Sequence, residues 1–122
     1  MTAFDTSAWI EYFTGSKKGH PVKDSIDSDA EIFTPSVCLA EIKLKYAKEK
    51  RGVMEERIAF VLGRSAIVDL NQAIALLSAD NKLKHKLYLV DSIIYSTAQF
   101  LNDALLTSDA ELKGLPGVVF LG

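Results

Sequence analysis

Two short apolar stretches near opposite ends of the chain each stop at an acidic residue. Residues 3–4 are followed by Asp5, and residues 104–106 are followed by Thr107, Ser108 and Asp109. An amphipathic run follows Asp5, and strands that alternate with helices in this way are typical of parallel sheets. Residues at the carboxyl ends of such strands line the crevice in which ligands bind. We therefore expect Asp5 and Asp109 to share one acidic site.

The remaining pattern predicts five short strands and about seven helices, that is, a three-layer α/β/α fold with a short, mostly parallel five-stranded sheet. The 122 residues, with 48% hydrophobic and 25% charged side chains, suit one domain spanning residues 1–122. The net charge of −2 excludes a global basic field for nucleic acid. The single Cys38 and the lack of a long apolar run predict a cytoplasmic protein with no membrane contact.

Two helix boundaries are predicted from capping residues. Thr34 as the cap and Pro35 at the first helical position predict a helix that reaches Lys50 or Arg51 and ends at Gly52.

The next two helices are predicted in the same way. One covers residues 53–62 and ends at Gly63. Asp69 and Gln72 form a capping-box pattern for another, from Leu70 to about Lys84.

A third acid, Glu41, lies at the margin of a predicted apolar helix face. That face is formed by Val37, Ala40, Leu44 and Ala47. An acid in this position can overlook a crevice beside the sheet. The simpler interpretation is an exposed ion pair with Lys45, four residues later.

A fourth acid, Asp91, borders the apolar face of a later helix. That face contains Val90, Ile93, Ile94, Thr97 and Leu101. The simpler interpretation is that Asp91 caps the helix, which would then begin at this residue and reach Leu101.

The two acids at strand ends also have simpler interpretations. Asp5 can cap the first helix. Asp109 can be a first-turn acid favoured by the helix dipole, with Ser108 and Glu111 as a capping box. A single acid is therefore weak evidence for a site, and the set of four is stronger.

Convergence of four carboxylates would require protons or a cation to offset their repulsion. Two charges about 4 Å apart repel by about 4 kcal/mol at an effective dielectric constant near 20. Carboxylate oxygens without His or Cys ligands suit Mg²⁺ or Mn²⁺ rather than zinc. The residues alone indicate an acidic site suited to a divalent metal ion.

Four segments, in order, resemble those of PIN-domain ribonucleases, particularly the VapC toxins. They are residues 4–13 (FDTSAWIEYF), 40–41 (AE), 90–94 (VDSII) and 105–109 (LLTSD). The resemblance covers nearly the whole chain. It implies a PIN-like fold and a metal-dependent endoribonuclease that hydrolyses RNA phosphodiester bonds with a metal-activated water. A PIN-like scaffold that binds RNA or protein without cutting is the alternative.

The resemblance also implies roles for individual residues. The catalytic and metal-binding residues would be Asp5, Glu41, Asp91 and Asp109 around one or two Mg²⁺ or Mn²⁺ ions, with Ser7 and Thr107 as supporting polar residues. Ser108 replaces a basic residue common in the family, which affects the expected RNA contacts beside the metal. A VapB-like antitoxin covering the acidic groove and a homodimer are implied as well.

Lysines concentrate just after Glu41 and are candidates for contacts with RNA phosphates. They are Lys43, Lys45 and Lys48. Such contacts would be salt-sensitive and independent of base sequence. The alternative is a solvated helix end whose cations favour the dipole.

Overall fold

A computed structural model describes residues 1–122 and shows one five-stranded sheet flanked by helices. The strands are β1 (Thr2–Phe4), β2 (Ile32–Pro35), β3 (Ala66–Val68), β4 (Ala104–Thr107) and β5 (Val118–Phe120). The helices are α1 (Thr6–Thr14), α2 (His20–Asp27), α3 (Ser36–Tyr46), α4 (Val53–Arg64), α5 (Gln72–His85) and α6 (Leu89–Leu101). Short 3₁₀ turns cover Lys17–Gly19 and Ala110–Leu112. None of the helices is long and apolar enough to cross a membrane.

The sheet order is β3-β2-β1-β4-β5, and every neighbouring pair is parallel. The chain moves outward from β1 in one direction through β2 and β3, then returns to the other side of β1 with β4 and β5. The order therefore reverses between β1 and β4, and ligands of open parallel sheets bind beyond the carboxyl ends of the strands at such a point.

Two hydrophobic cores lie on the opposite faces of this sheet. Side chains alternate along a strand, so Phe4 and Leu106 join one core while Ala3 and Leu105 join the other. The first core contains Trp9 and side chains of α2, α3 and α4, and the second is packed mainly by α6. The prediction of a three-layer α/β/α fold is confirmed, and the sheet is entirely parallel.

The predicted helix start at Thr34 is wrong, because the strand continues through this residue. Thr34 is fully buried in β2, and its hydroxyl accepts a hydrogen bond from Trp9 Nε1 at 3.1 Å. Its Oγ1 also lies 2.8 Å from Ser65 Oγ. These tertiary contacts use the hydroxyl that a cap would need, and α3 begins at Ser36 after Pro35.

The predicted ends of two helices are also corrected. Helix α3 ends at Tyr46 rather than at Lys50 or Arg51, and the chain then passes through turns. Gly52, with a φ of 91°, is the N-cap of α4 rather than the stop of α3. Gly63 lies inside α4, which ends at Arg64.

The cap of α5 and the buried face of α3 differ from the predictions too. Asn71, not Asp69, caps α5 by accepting a bond from Ile74 N at 2.8 Å, and the helix begins at Gln72 instead of Leu70. In α3 the predicted face of Val37, Ala40, Leu44 and Ala47 is replaced by buried Cys38, Ile42 and Tyr46, and Leu44 is 73% exposed. Glu41 is nevertheless half-buried.

Candidate functional site

Asp5 lies at the end of β1, where it caps α1 and is 3% exposed. Its Oδ1 accepts bonds from Ala8 N at 2.8 Å and from Ser7 Oγ at 2.7 Å. Its Oδ2 accepts a bond from Thr107 Oγ1. The predicted capping role is confirmed, and all three contacts hold the carboxylate in one orientation.

The same hydroxyl groups connect β1 to the end of β4. Thr107 Oγ1 accepts a bond from Asp109 N at 2.9 Å, and Ser7 Oγ accepts one from Ser108 N at 2.9 Å. Phe4 pairs with Leu106 in the parallel strands β1 and β4, so the residues that follow them, Asp5 and Thr107, lie side by side. Ser7 and Thr107, both predicted as supporting polar residues, therefore lie between two of the acids.

Asp109 caps the 3₁₀ turn that follows β4. Its Oδ1 accepts a bond from Glu111 N at 3.0 Å. The predicted capping box with Ser108 as the cap is wrong, because Asp109 occupies the cap position. The backbone N–H of Ser108 instead donates to Ser7 Oγ.

Glu41 reaches the site from α3. Its Oε1 accepts a bond from Thr6 Oγ1 at 2.6 Å. The predicted ion pair with Lys45 is wrong: the single salt bridge in the chain joins Lys23 and Asp27. Thr6, which is half-buried, orients this carboxylate, and the sequence pattern does not predict this contact.

Asp91 lies in the first turn of α6 and is not its cap. The cap position belongs to Tyr88, so the capping interpretation is wrong. Burial, and then the charges of Asp109, Glu41 and Glu111, raises the pKa of Asp91 to about 6. The Asp91 carboxylate accepts no hydrogen bond from the protein, which leaves both oxygens available to a ligand.

The four acids line one cleft of about 340 Å³ at the carboxyl ends of β1 and β4. Thr6, Ser7, Ile10 and Ile94 complete its lining. Burial raises the pKa of Asp5 to about 6, with a smaller upward contribution from the charge of Asp109. Negative charge is therefore costly in this cleft, and a cation would relieve the cost.

The donors fit a hard divalent cation in chemistry, although they do not form a closed ligand shell. No three of the His, Cys, Asp and Glu side chains are grouped closely enough to hold an ion together. Mg²⁺ does not require such a group, because it keeps several waters and is usually bound by one or two carboxylates plus substrate phosphates. A cleft lined by four carboxylates can supply one or two such ligands.

The three lysines predicted to contact RNA lie outside the cleft lining. Lys43 and Lys45 are exposed on α3, and Lys48 lies in the turn that follows it. None of them forms an ion pair. Their contact with RNA stays a prediction.

No curated protein sequence matches the chain. The structure is similar to a toxin–antitoxin complex from Klebsiella pneumoniae, with a TM-score of 0.85 and 26% identity over 100% of this chain and 98% of that chain. It is also similar to VapBC2 from Rickettsia felis bound to a promoter DNA fragment, with a TM-score of 0.78 and 17% identity over 98% of this chain and 96% of that chain.

A third similar structure is DNA-bound VapBC from Salmonella typhimurium, with a TM-score of 0.73 and 16% identity over 99% of this chain and 98% of that chain. The last two likenesses concern the fold alone. The sequence itself matches the PIN domain model from residue 3 to residue 118. Because this match covers nearly the whole chain, the protein belongs to the PIN domain family.

Proposed function

We propose that this protein is a VapC-type toxin that hydrolyses RNA phosphodiester bonds with Mg²⁺ or Mn²⁺. The observation that carries the proposal is the convergence of Asp5, Glu41, Asp91 and Asp109, from four separate segments, on one cleft. The 26% identity to a chain of a toxin–antitoxin complex, over the full length of both chains, supports the toxin assignment.

The four carboxylates would hold one or two divalent ions. Once bound, such an ion polarises the phosphodiester and lowers the pKa of a water molecule so that it can attack phosphorus. Asp5 is held for this role by hydroxyl donors on both of its oxygens. Thr6 holds Glu41, whereas Asp91 is free to turn toward an ion or a water molecule.

The proposal places both the RNA substrate and a protein partner at this cleft. An RNA phosphate would bind at the acidic cleft beside the ion, and the exposed Lys43, Lys45 and Lys48 would contact neighbouring phosphates. A VapB-like antitoxin would inhibit the enzyme by covering the acids. Leu62, 51% exposed on α4, would contribute to a homodimer surface. The proposed activity would take place in the cytoplasm.

Cleavage of a mixed RNA pool tests the proposal. The purified chain is incubated with Mg²⁺, with Mn²⁺ and with EDTA, beside Asp5→Asn and Asp91→Asn. We expect metal-dependent cleavage that falls at least about 100-fold in both variants, because each removes a charged ligand from the ion. Asp80→Asn, exposed on α5 outside the cleft, is the matched control and should cut normally.

RNA binding without cleavage under every metal condition would contradict the nuclease proposal. It would favour the non-cleaving PIN-like scaffold instead.

A further inference from the structure

A second cavity, of about 310 Å³, lies at the opposite end of α1 from the acidic cleft. Its lining includes Arg57, His20 and Lys23 together with Tyr12 and Phe13, and contains no acidic residue. We call these five residues the basic pocket. They come from three helices, α1, α2 and α4, so no run of basic residues in the sequence indicates the pocket.

Arg57 is held in the basic pocket by aromatic rings rather than by a carboxylate. Its guanidinium carbon lies 4.8 Å from the centre of the Phe13 ring and 5.8 Å from that of Tyr46. Its Nε is buried and has no hydrogen-bond partner. Buried polar nitrogens are nearly always bonded, and a stacked guanidinium with free N–H groups is suited to a phosphate.

The turn that brings the other cations to the pocket is held tightly against α1. A Cβ at Gly19 would lie 2.5 Å from the carbonyl oxygen of Glu11, so only glycine allows this approach. His20 and Lys23 follow directly on α2. Lys23 pairs with Asp27, but the two side chains are 60% and 54% exposed, and such a pair is weak enough to yield to an anion.

Helix α1 connects the basic pocket to the acidic cleft. Thr6 and Ile10 line the cleft, while Tyr12 and Phe13 line the pocket. A helix of nine residues is about 14 Å long, so a strand of a few nucleotides spans both sites. An RNA substrate carries phosphates at regular intervals, which favours RNA over an acidic protein segment as the occupant of a pocket in line with the cleft.

We propose that the basic pocket binds a backbone phosphate of the RNA strand a few nucleotides from the bond placed at the acidic cleft. This inference rests on the proposed nuclease function and adds a subsite to it. Arg57 supplies the paired N–H donors, and His20 and Lys23 supply further positive charge. The contact positions the strand and is independent of base identity.

Binding of a fluorescent single-stranded 12-nucleotide RNA, measured by anisotropy at several salt concentrations, tests the subsite. The chain carries Asp91→Asn so that RNA is bound and not cut. We expect Arg57→Met to weaken binding roughly tenfold and to reduce the salt slope by about one. Lys84→Met, which removes an exposed charge on α5, is the matched control and should leave both values unchanged.

A second variant covers the case in which Arg57→Met does not fold, as judged by its thermal unfolding. Lys23→Ala removes an exposed side chain of the pocket and should weaken binding roughly threefold. In the otherwise unmodified chain, Arg57→Met should raise KM for cleavage roughly tenfold, with the change much smaller in kcat.

The outcomes separate the two proposals. If RNA binding depends on Arg57 but neither Mg²⁺ nor Mn²⁺ allows the chain to cut RNA, the subsite is supported and the nuclease function is contradicted. Metal-dependent cleavage with unchanged RNA affinity in both Arg57→Met and Lys23→Ala overturns the subsite. If the same variants instead lose binding of a poly-glutamate peptide, the pocket belongs to an acidic protein segment.

Discussion

The two ends of α1 carry opposite charge and are built in different ways. The N-terminal end meets four carboxylates, and the C-terminal end meets Arg57, His20 and Lys23. Both arrangements complement the helix dipole, which favours anions at the first turn and cations at the last. One short helix thus separates a site suited to a metal ion from a site suited to a phosphate.

The acidic end depends on buried hydrogen bonds between strand ends, whereas the basic end depends on ring stacking and exposed side chains. Asp5 and Thr107 are 3% and 0% exposed, and the Thr107 hydroxyl contacts Asp5 Oδ2, Asp109 N and the hydroxyl of Ser7. His20 and Lys23 are exposed and can be replaced without opening the core. Substitutions at the acidic end should therefore change stability and activity together, while replacement of the exposed His20 or Lys23 should mainly change RNA affinity.

The largest stability change is expected from Thr107→Val at the acidic end. It keeps the volume but leaves Asp5 Oδ2 without its hydroxyl donor and Asp109 N without an acceptor. We expect a loss of about 2–3 kcal/mol in the free energy of unfolding, measured with urea. Thr97→Val is the control and should cost less than about 1 kcal/mol, because that hydroxyl bonds only a carbonyl of its own helix.

The pH dependence of stability should reveal the buried charge at the acidic end. Burial raises the pKa of Asp5 from 3.8 to about 6 in the folded chain. In EDTA the unfolded chain therefore loses this proton first, and stability falls as the pH rises from about 4 to above 6, by roughly 2–3 kcal/mol.

Urea unfolding at pH 4.5 and pH 7.5, compared with Asp5→Asn, measures this contribution. The variant should show a flatter dependence. Mn²⁺ at pH 7.5 should stabilise the unmodified chain and not Asp5→Asn. Equal pH dependence in the two chains would mean that Asp5 is not the group responsible.

Gly19→Ala should disrupt the basic end and leave the acidic end intact. The new Cβ would lie 2.5 Å from the carbonyl oxygen of Glu11, so the turn must move away from α1. We expect a loss of about 1–3 kcal/mol and weaker RNA binding. Gly63→Ala makes the same change in α4, where nothing lies within 4 Å, and should stabilise the protein by about 0.5–1 kcal/mol.

Among the variants that target the two sites themselves, Thr6→Val should cause the smallest loss of stability. This variant removes the 2.6 Å bond to Glu41, which is half-buried and can reach water instead. We expect a cost of about 1 kcal/mol in stability and a several-fold loss of metal-dependent cleavage. Thr14→Val, at the other end of the same helix, should leave cleavage unchanged, since its hydroxyl bonds only Glu11 O. Equal cleavage in both variants would exclude a positioning role for Thr6.

Local signals predicted the elements better than their boundaries. The α/β fold class follows from the alternation of strands and helices, whereas the ends of α3, α4 and α5 differ from those predicted. The prediction at Thr34 failed because a Thr-Pro pair is a common helix start, whereas contacts with the distant Trp9 and Ser65 hold this residue in the strand. No local pattern in the sequence indicated the contacts that Arg64 makes.

Arg64 shows how a distant contact completes a helix end. Its guanidinium donates to four backbone carbonyls around the end of α2, those of Ser25, Ile26, Ser28 and Ala30. These partners lie 34–39 residues away in the chain. No periodicity or capping rule links positions so far apart.

The sequence by itself determined which residues carry negative charge at strand ends, because strand and cap preferences act over a few neighbouring residues. Only the tertiary structure decided that Glu41 and Asp91 join them in one cleft, and that Arg57 meets His20 and Lys23 in another. The physical reason is packing. Helices α1, α3, α4 and α6 pack on the two faces of the sheet, and this packing decides which of their sides face one another. The packing depends on contacts between residues that are far apart in the sequence.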